Sequence, residues 1–199
     1  MMGRLFAISF LTLAGSVFPT AQAGSPQLAK ATFAGGCFWS MEPPFDKLEG
    51  VISTTVGYTG GVKKNPTYEE VSLGRTGHLE SVQVEYDPGK VSYEELLDVF
   101  WHNVDPLDGV GQFCDQGSQY RTAIFYHDEA QRLAAQQSKR ALVQSGRFQT
   151  VLATQVLAAK EFYRAEEYHQ DFYKKNPSQY TSYRDNCGRA ERLADLWGP

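Results

Sequence analysis

Cys37, set directly behind Gly35-Gly36, is the residue whose type and place could most readily do chemistry. It opens the segment CFWSMEPPFDKLEG, whose apolar residues fall at helical spacing, and the two glycines end a short apolar run ahead of it. A thiol at that junction would face unpaired backbone N–H groups and the positive end of a helix dipole, both of which favour the thiolate. An unperturbed thiol, with a pKa of about 8.5, is ionised to only a few per cent at neutral pH, so such placement would change its reactivity. Two further cysteines, Cys114 and Cys187, lie far along the chain, and no C-x-x-C occurs. That spacing argues against a zinc site and against a thioredoxin-type dithiol. An odd cysteine count leaves two readings open: a thiol with chemistry to do, or one structural disulfide and a buried spare.

The elements that must position these residues alternate between short strands and helices. Residues 31–34 form a small apolar strand, and residues 51–58 are β-branched and read as a second. Pro43-Pro44 would remove backbone donors from a helix running on from Cys37, which could restart there. After a Gly-, Pro- and Asn-rich loop, residues 79–86 alternate apolar and polar side chains, as a half-buried strand does. Ser92 and Glu95 make a capping box ahead of the helix ELLDVFWHN. Residues 120–127 read as a strand, 128–145 as a helix closed by Gly146, 150–158 as a strand, and 161–175 as an aromatic helix ended by Asn176-Pro177. This order contains a split βαβ unit, so the expected fold is α+β: a two-layer α/β plait of ferredoxin-like kind with a mostly antiparallel mixed sheet. Residues 179–199 are expected to form an irregular tail that holds Cys187.

Residues 1–23 carry Arg4 as their only charge, then an apolar run, then Ala21-Gln22-Ala23 before Gly24, which is the order of a secretory signal peptide. Residues 24–199 would then form a single domain, exported to a periplasmic or otherwise extracytoplasmic compartment, with no stable membrane insertion after cleavage. A monomer is expected. Loss of one base and no acid takes the formal charge from -4 to -5. No basic block remains to follow a phosphate backbone, so nucleic acid is not an expected partner.

The string GGCFWSMEPPF resembles the Gly-Cys-Phe-Trp-x-x-Glu signature of A-type peptide methionine sulfoxide reductases. Four further resemblances follow in order: GYTGG with NPTYEEV, TGHLESVQVEYDP, FCDQGSQYRTAIFY, and AEEYHQDF with the tail NCGRAERLADLWG. Together they span about residues 31–198. The resemblance implies Cys37 as nucleophile, Glu80 as general acid, and Tyr68, Tyr120 and Asp115 as groups that orient the oxygen or a water beside it. It also implies Cys187 as the resolving thiol, forming a Cys37–Cys187 disulfide. Phe38 and Trp39 would line an apolar slot for the substrate's S-methyl group. Cys114 adjoins Asp115, and its role is left open.

The chemistry fits these residue types. A soft nucleophile must attack a tetrahedral sulfur while its oxygen gains a proton, which a carboxylic acid of raised pKa can give and phenol hydroxyls can assist. The product on Cys37 is a sulfenic acid, which a nearby thiol converts to a disulfide. No nucleotide-binding glycine motif is present in the right context, and no cofactor is implied. The electrons would come from an external dithiol such as thioredoxin or a thioredoxin-like protein, and the substrate would be oxidised methionine, free or in proteins. Two rival readings of a reactive thiol, a binding module stapled by a permanent Cys37–Cys187 bond and a thiol peroxidase, lack a use for the Glu80, Tyr68 and Tyr120 set.

Overall fold

The computed structural model describes residues 27–198, so the expected leader, residues 1–23, lies outside the described residues. Its strands are β1 Ala29–Gly35, β2 Val51–Thr59, β3 Leu79–Tyr86, β4 Gly111–Gln112, β5 Asp115–Gln116, β6 Thr122–Tyr126, β7 Gln155–Ala158 and β8 Tyr163–Arg164. The helices are α1 Phe38–Asp46, α2 Tyr68–Ser72, α3 Tyr93–Trp101, α4 Glu129–Gln144, α5 Phe172–Lys175, α6 Pro177–Asn186 and α7 Arg189–Trp197. Six strands make one sheet in the order β7-β6-β1-β3-β2-β8. Its pairs are antiparallel except β6 with β7. Strands β1 and β2 therefore run parallel with β3 between them, joined through α1 in a split βαβ arrangement. None of the described helices is long and apolar enough to cross a membrane.

Alternation decides which face is covered. Phe33 on β1 sits opposite both Val82 on β3 and Ile124 on β6, and these side chains meet Met41 and Phe45 of α1, Leu96, Leu97 and Phe100 of α3, and Ala135 of α4. Each large apolar side chain fully buried there contributes about 1.5–3 kcal/mol. The capping box of α3 is formed: Ser92 Oγ accepts from the Glu95 amide at 3.2 Å and Glu95 Oε2 accepts from the Ser92 amide at 2.7 Å. Helix α1 does not restart at Pro43-Pro44 but runs through both. The prolines remove two donors, and burial of Met41 and Phe45 on either side of them holds the helix against the sheet.

Two expectations are corrected. Residues 161–175 are not one helix but β8, a 3-10 turn at Glu167–His169, and the short α5. The cause is Gln170, whose side-chain amide accepts from the Val56 amide at 3.0 Å and donates to the Val56 carbonyl at 2.9 Å, tying this segment to β2. Asp171 then takes a left-handed conformation, φ +51°, before α5 begins. The tail is not irregular: it is α6 and α7, with Arg189 and Leu196 buried along α7.

Candidate active site

Both glycines before Cys37 are required by space. A Cβ on Gly35 would lie 2.6 Å from Met41, and one on Gly36, where φ is +86°, would lie 2.6 Å from Gln112 Cβ. The chain thus turns tightly out of β1 and places Cys37 at the N-cap of α1, 7% exposed. The first amide of the helix, that of Phe38, donates to Glu80 Oε2 at 3.1 Å. Glu80 reaches it from β3, where it faces Tyr58 across the ladder with β2 and is 2% exposed. Burial pushes the Glu80 carboxyl up to about 8; the Phe38 amide opposes that shift and the charge of Asp115 adds to it. Burial, with the charges of Glu80 and Asp115 behind it, also pushes the Cys37 thiol well above its ordinary range. The expectation of a resting thiolate is therefore corrected. The Phe38 amide is taken by Glu80, and although the Trp39 amide still points at the sulfur, burial outweighs it and keeps the thiol protonated beside a carboxyl that burial also holds toward its neutral form.

Tyr68 opens α2, whose own capping box joins Thr67 and Glu70. Glu166 fixes it, accepting from the Tyr68 amide at 2.9 Å and from the Tyr58 hydroxyl at 2.8 Å. Tyr120 ends a 3-10 turn, Ser118–Tyr120, anchored where the Gln119 amide donates to the Ser72 carbonyl at 2.9 Å. Burial and the charge of Glu80 push both phenols up, Tyr68 to about 12, so both remain O–H donors at neutral pH. Phe38 is 1% exposed and packs against Tyr58 and His169. Trp39 stacks on Phe172 with ring centroids 3.7 Å apart and donates its indole N–H to His169 Nδ1 at 3.1 Å. His169 is thereby held neutral, burial pressing its pKa down to about 4. Glu42 orients rather than reacts: its Oε1 accepts from the Asp171 amide at 3.2 Å and from Thr54 at 3.4 Å. His78 bridges the loop before β3, accepting from the Gly61 amide and donating to the Lys63 carbonyl.

Asp115, on β5, accepts from the Tyr183 hydroxyl at 2.5 Å. Beside it Cys114 is bonded to Cys187, their Cα atoms 4.9 Å apart, and Cys37 is a free, buried thiol. The expected Cys37–Cys187 bond is thus not the one formed in this structure. Cys187 caps α6, and that helix brings it against the Cys114 loop while Tyr183, one turn earlier, lies against Cys37.

The sequence profile of the family described as Peptide methionine sulfoxide reductase matches residues 29–198. The chain belongs to that family. It is 53% identical over 168 residues to the peptide methionine sulfoxide reductase MsrA of Bacillus licheniformis, covering 84% of this chain and 93% of that one. Among solved structures it resembles Mxr1 of Saccharomyces cerevisiae in reduced form, with a TM-score of 0.69 and 32% identity over 76% of this chain and 87% of that one. It also resembles Mxr1 in complex with Trx2, with a TM-score of 0.50 and 25% identity over 73% and 84%. As a member of this family the protein is a peptide-methionine (S)-S-oxide reductase, a thiol-dependent oxidoreductase.

In this reductase Cys37, Glu80, Tyr68, Tyr120 and Asp115 converge from β1–α1, β3, α2, the Ser118–Tyr120 turn and β5. Three residues that sequence reasoning passed over complete the surroundings. Tyr183 covers the thiol, and Glu166 holds Tyr68. Arg189, 4% exposed, donates to the Gly35 carbonyl at 3.0 Å and the Asn103 carbonyl at 2.8 Å, fastening the tail beneath the catalytic turn. The signal for Arg189 and Tyr183 lay only in their nearness to Cys187 along the chain.

Proposed function

We propose that the reductase acts on the S epimer of methionine sulfoxide, free or in proteins, and repairs oxidised proteins with electrons from thioredoxin or a thioredoxin-like dithiol. The observation that carries this reading is the burial of Cys37 and Glu80 together at the start of α1, with the Phe38 amide on Glu80 and the phenols of Tyr68 and Tyr120 beside them. Cys37 attacks the sulfoxide sulfur as Glu80 gives its proton to the oxygen and the thiol proton replaces it. The hydroxyl then passes from the methionine sulfur to Cys37 Sγ as the S–O bond and the transient S–S bond break, so that methionine leaves and Cys37 is left as a sulfenic acid. Tyr68, Tyr120 and Asp115 orient the oxygen, and Trp39, backed by Phe38, meets the S-methyl group. The Cys187 thiol then condenses with the sulfenic acid, releasing water and forming Cys37–Cys187. Attack by the Cys114 thiol on Cys187 moves the bond to Cys114–Cys187 and frees Cys37. Cys114 is exposed where Cys37 is buried, so an external dithiol meets the second disulfide more easily than the first. Residues 1–23 are proposed to direct export to an extracytoplasmic compartment, and the mature chain is proposed to work there as a monomer.

Cys187→Ser tests the order of events. It should still release about one methionine per chain in a rapid first turnover, because Cys37 is untouched, and then stall with thioredoxin as reductant. Cys114→Ser should accumulate Cys37–Cys187. Normal thioredoxin-driven cycling by Cys187→Ser would refute its assignment as resolving thiol.

A further inference from the structure

The helix that presents Cys187 also carries the side chain that covers Cys37. Tyr183 packs into the cluster of Cys37, Phe38, Val56 and Tyr58, and meets Trp39 edge-on with ring centroids 6.0 Å apart. Its hydroxyl, bound to Asp115, lies against the Cys37 thiol and 4.0 Å from Cys187 Sγ. A sulfoxide under attack by Cys37 needs that same volume, its oxygen near Asp115 and its methyl group beside Trp39.

We propose that Tyr183 is a plug latched by the Cys114–Cys187 disulfide, so that the enzyme admits its sulfoxide only after an external dithiol has cut that bond. The inference rests on the reductase reading above. Helix α6 has no fully buried residue, and Gly188, with φ +68°, separates it from α7. Helix α7 is fastened on its own account, by Arg189 and by Arg192, which donates to Asp105 at 2.7 Å. The far end of the tail is therefore held independently of the disulfide, while the C-terminal end of α6 is held by that bond together with the Tyr183–Asp115 hydrogen bond and the packing of the Tyr183 ring. A reductant thiolate attacks the exposed Cys114 sulfur, forming a mixed disulfide and freeing Cys187 as a thiol. The reductant's second thiol then displaces Cys114, leaving two protein thiols and an oxidised reductant. With the latch open, α6 swings on Gly188 and Tyr183 leaves the slot.

The oxidised enzyme keeps a free Cys37 and so holds the electrons to reduce one sulfoxide without any reductant. The test compares first methionine release from a methionine S-sulfoxide peptide by protein purified without reductant and by protein reduced with dithiothreitol and desalted. Iodoacetamide labelling of Cys37, read by peptide mass, runs beside it on the same samples. The oxidised parent should be slower than the reduced parent by at least about tenfold in both readouts, corresponding to an open fraction below about one in ten. Tyr183→Ala should bring the two states within about twofold of each other, while Tyr183→Phe, which keeps the ring, should retain most of the gap. Equal rates for the two states of the parent, or a gap that survives Tyr183→Ala, would overturn the latch. If labelling shows the gap but neither state yields methionine, the latch stands and the sulfoxide reading falls.

Discussion

Replacing Glu80 by Gln removes one proton and little else. The amide oxygen can still accept from the Phe38 N–H, now 3.1 Å from Glu80 Oε2, and the side chain keeps its volume in a site that is 2% exposed. The first turnover should slow by about two to four orders of magnitude, the usual contribution of a positioned general acid. The parent's pH profile carries a second signature. With Glu80 titrating at about 8, the acid is about ten-to-one protonated at pH 7 and about one-to-ten at pH 9, so the first-turnover rate should fall about tenfold across that interval. Glu80→Gln should lack that descending limb. Stability provides an independent check. The folded carboxyl titrates at about 8 against 4.5 in its ordinary state, so its contribution to stability is complete below pH 4.5 and is lost as the pH rises to about 8. The loss is on the order of 3–5 kcal/mol in the parent and absent in Glu80→Gln, and urea unfolding at pH 5 and pH 8.5 would register it. A parent rate that climbs through pH 8 to a plateau, or a variant as fast as the parent, would refute the reasoning.

Gly36→Ala should destabilise the fold by at least about 1–2 kcal/mol, from its left-handed backbone and the Gln112 contact, and should lower activity by displacing Cys37; thermal melting and first-turnover rates measure both. Reduction of Cys114–Cys187, which closes a loop spanning 73 residues, should lower stability by about 4–5 kcal/mol on the chain-entropy account, read as a drop in denaturation midpoint with dithiothreitol. Intact-mass measurement of the protein from its native envelope should show Gly24 as the first residue; retention of Met1 would count against export by this route.

Local chemistry was legible in the sequence where it was local. The Ser92–Glu95 box, the strand β3 and the Gly35-Gly36 turn each depend on residues a few positions apart and are formed where the sequence placed them, although Leu79–Val82 of β3 are buried on both faces where alternation implied one. What escaped depends on distant partners. No periodicity in residues 161–175 reveals that Gln170 will replace a strand's hydrogen bonds on Val56 and so prevent a long helix. The thiol's ionisation escaped for a related reason: the helix-terminus argument is sound, and the Trp39 amide does serve the sulfur, but burial outweighs it and Glu80, forty-three residues on, takes the Phe38 amide and adds its charge. The Cys114–Cys187 bond of this structure escaped because cysteine spacing says nothing about which loop α6 will meet.

The central claim is that Cys37 carries the reduction of methionine S-sulfoxide. Its most direct test is quenched-flow methionine release from the separate S and R epimers, without recycling reductant, by the reduced parent and by Cys37→Ser. The account predicts a rapid release of at least about one methionine per chain from the S epimer, none from the R epimer, and none from either with Cys37→Ser. Release from neither epimer by the parent, or an unchanged burst from Cys37→Ser, would contradict it.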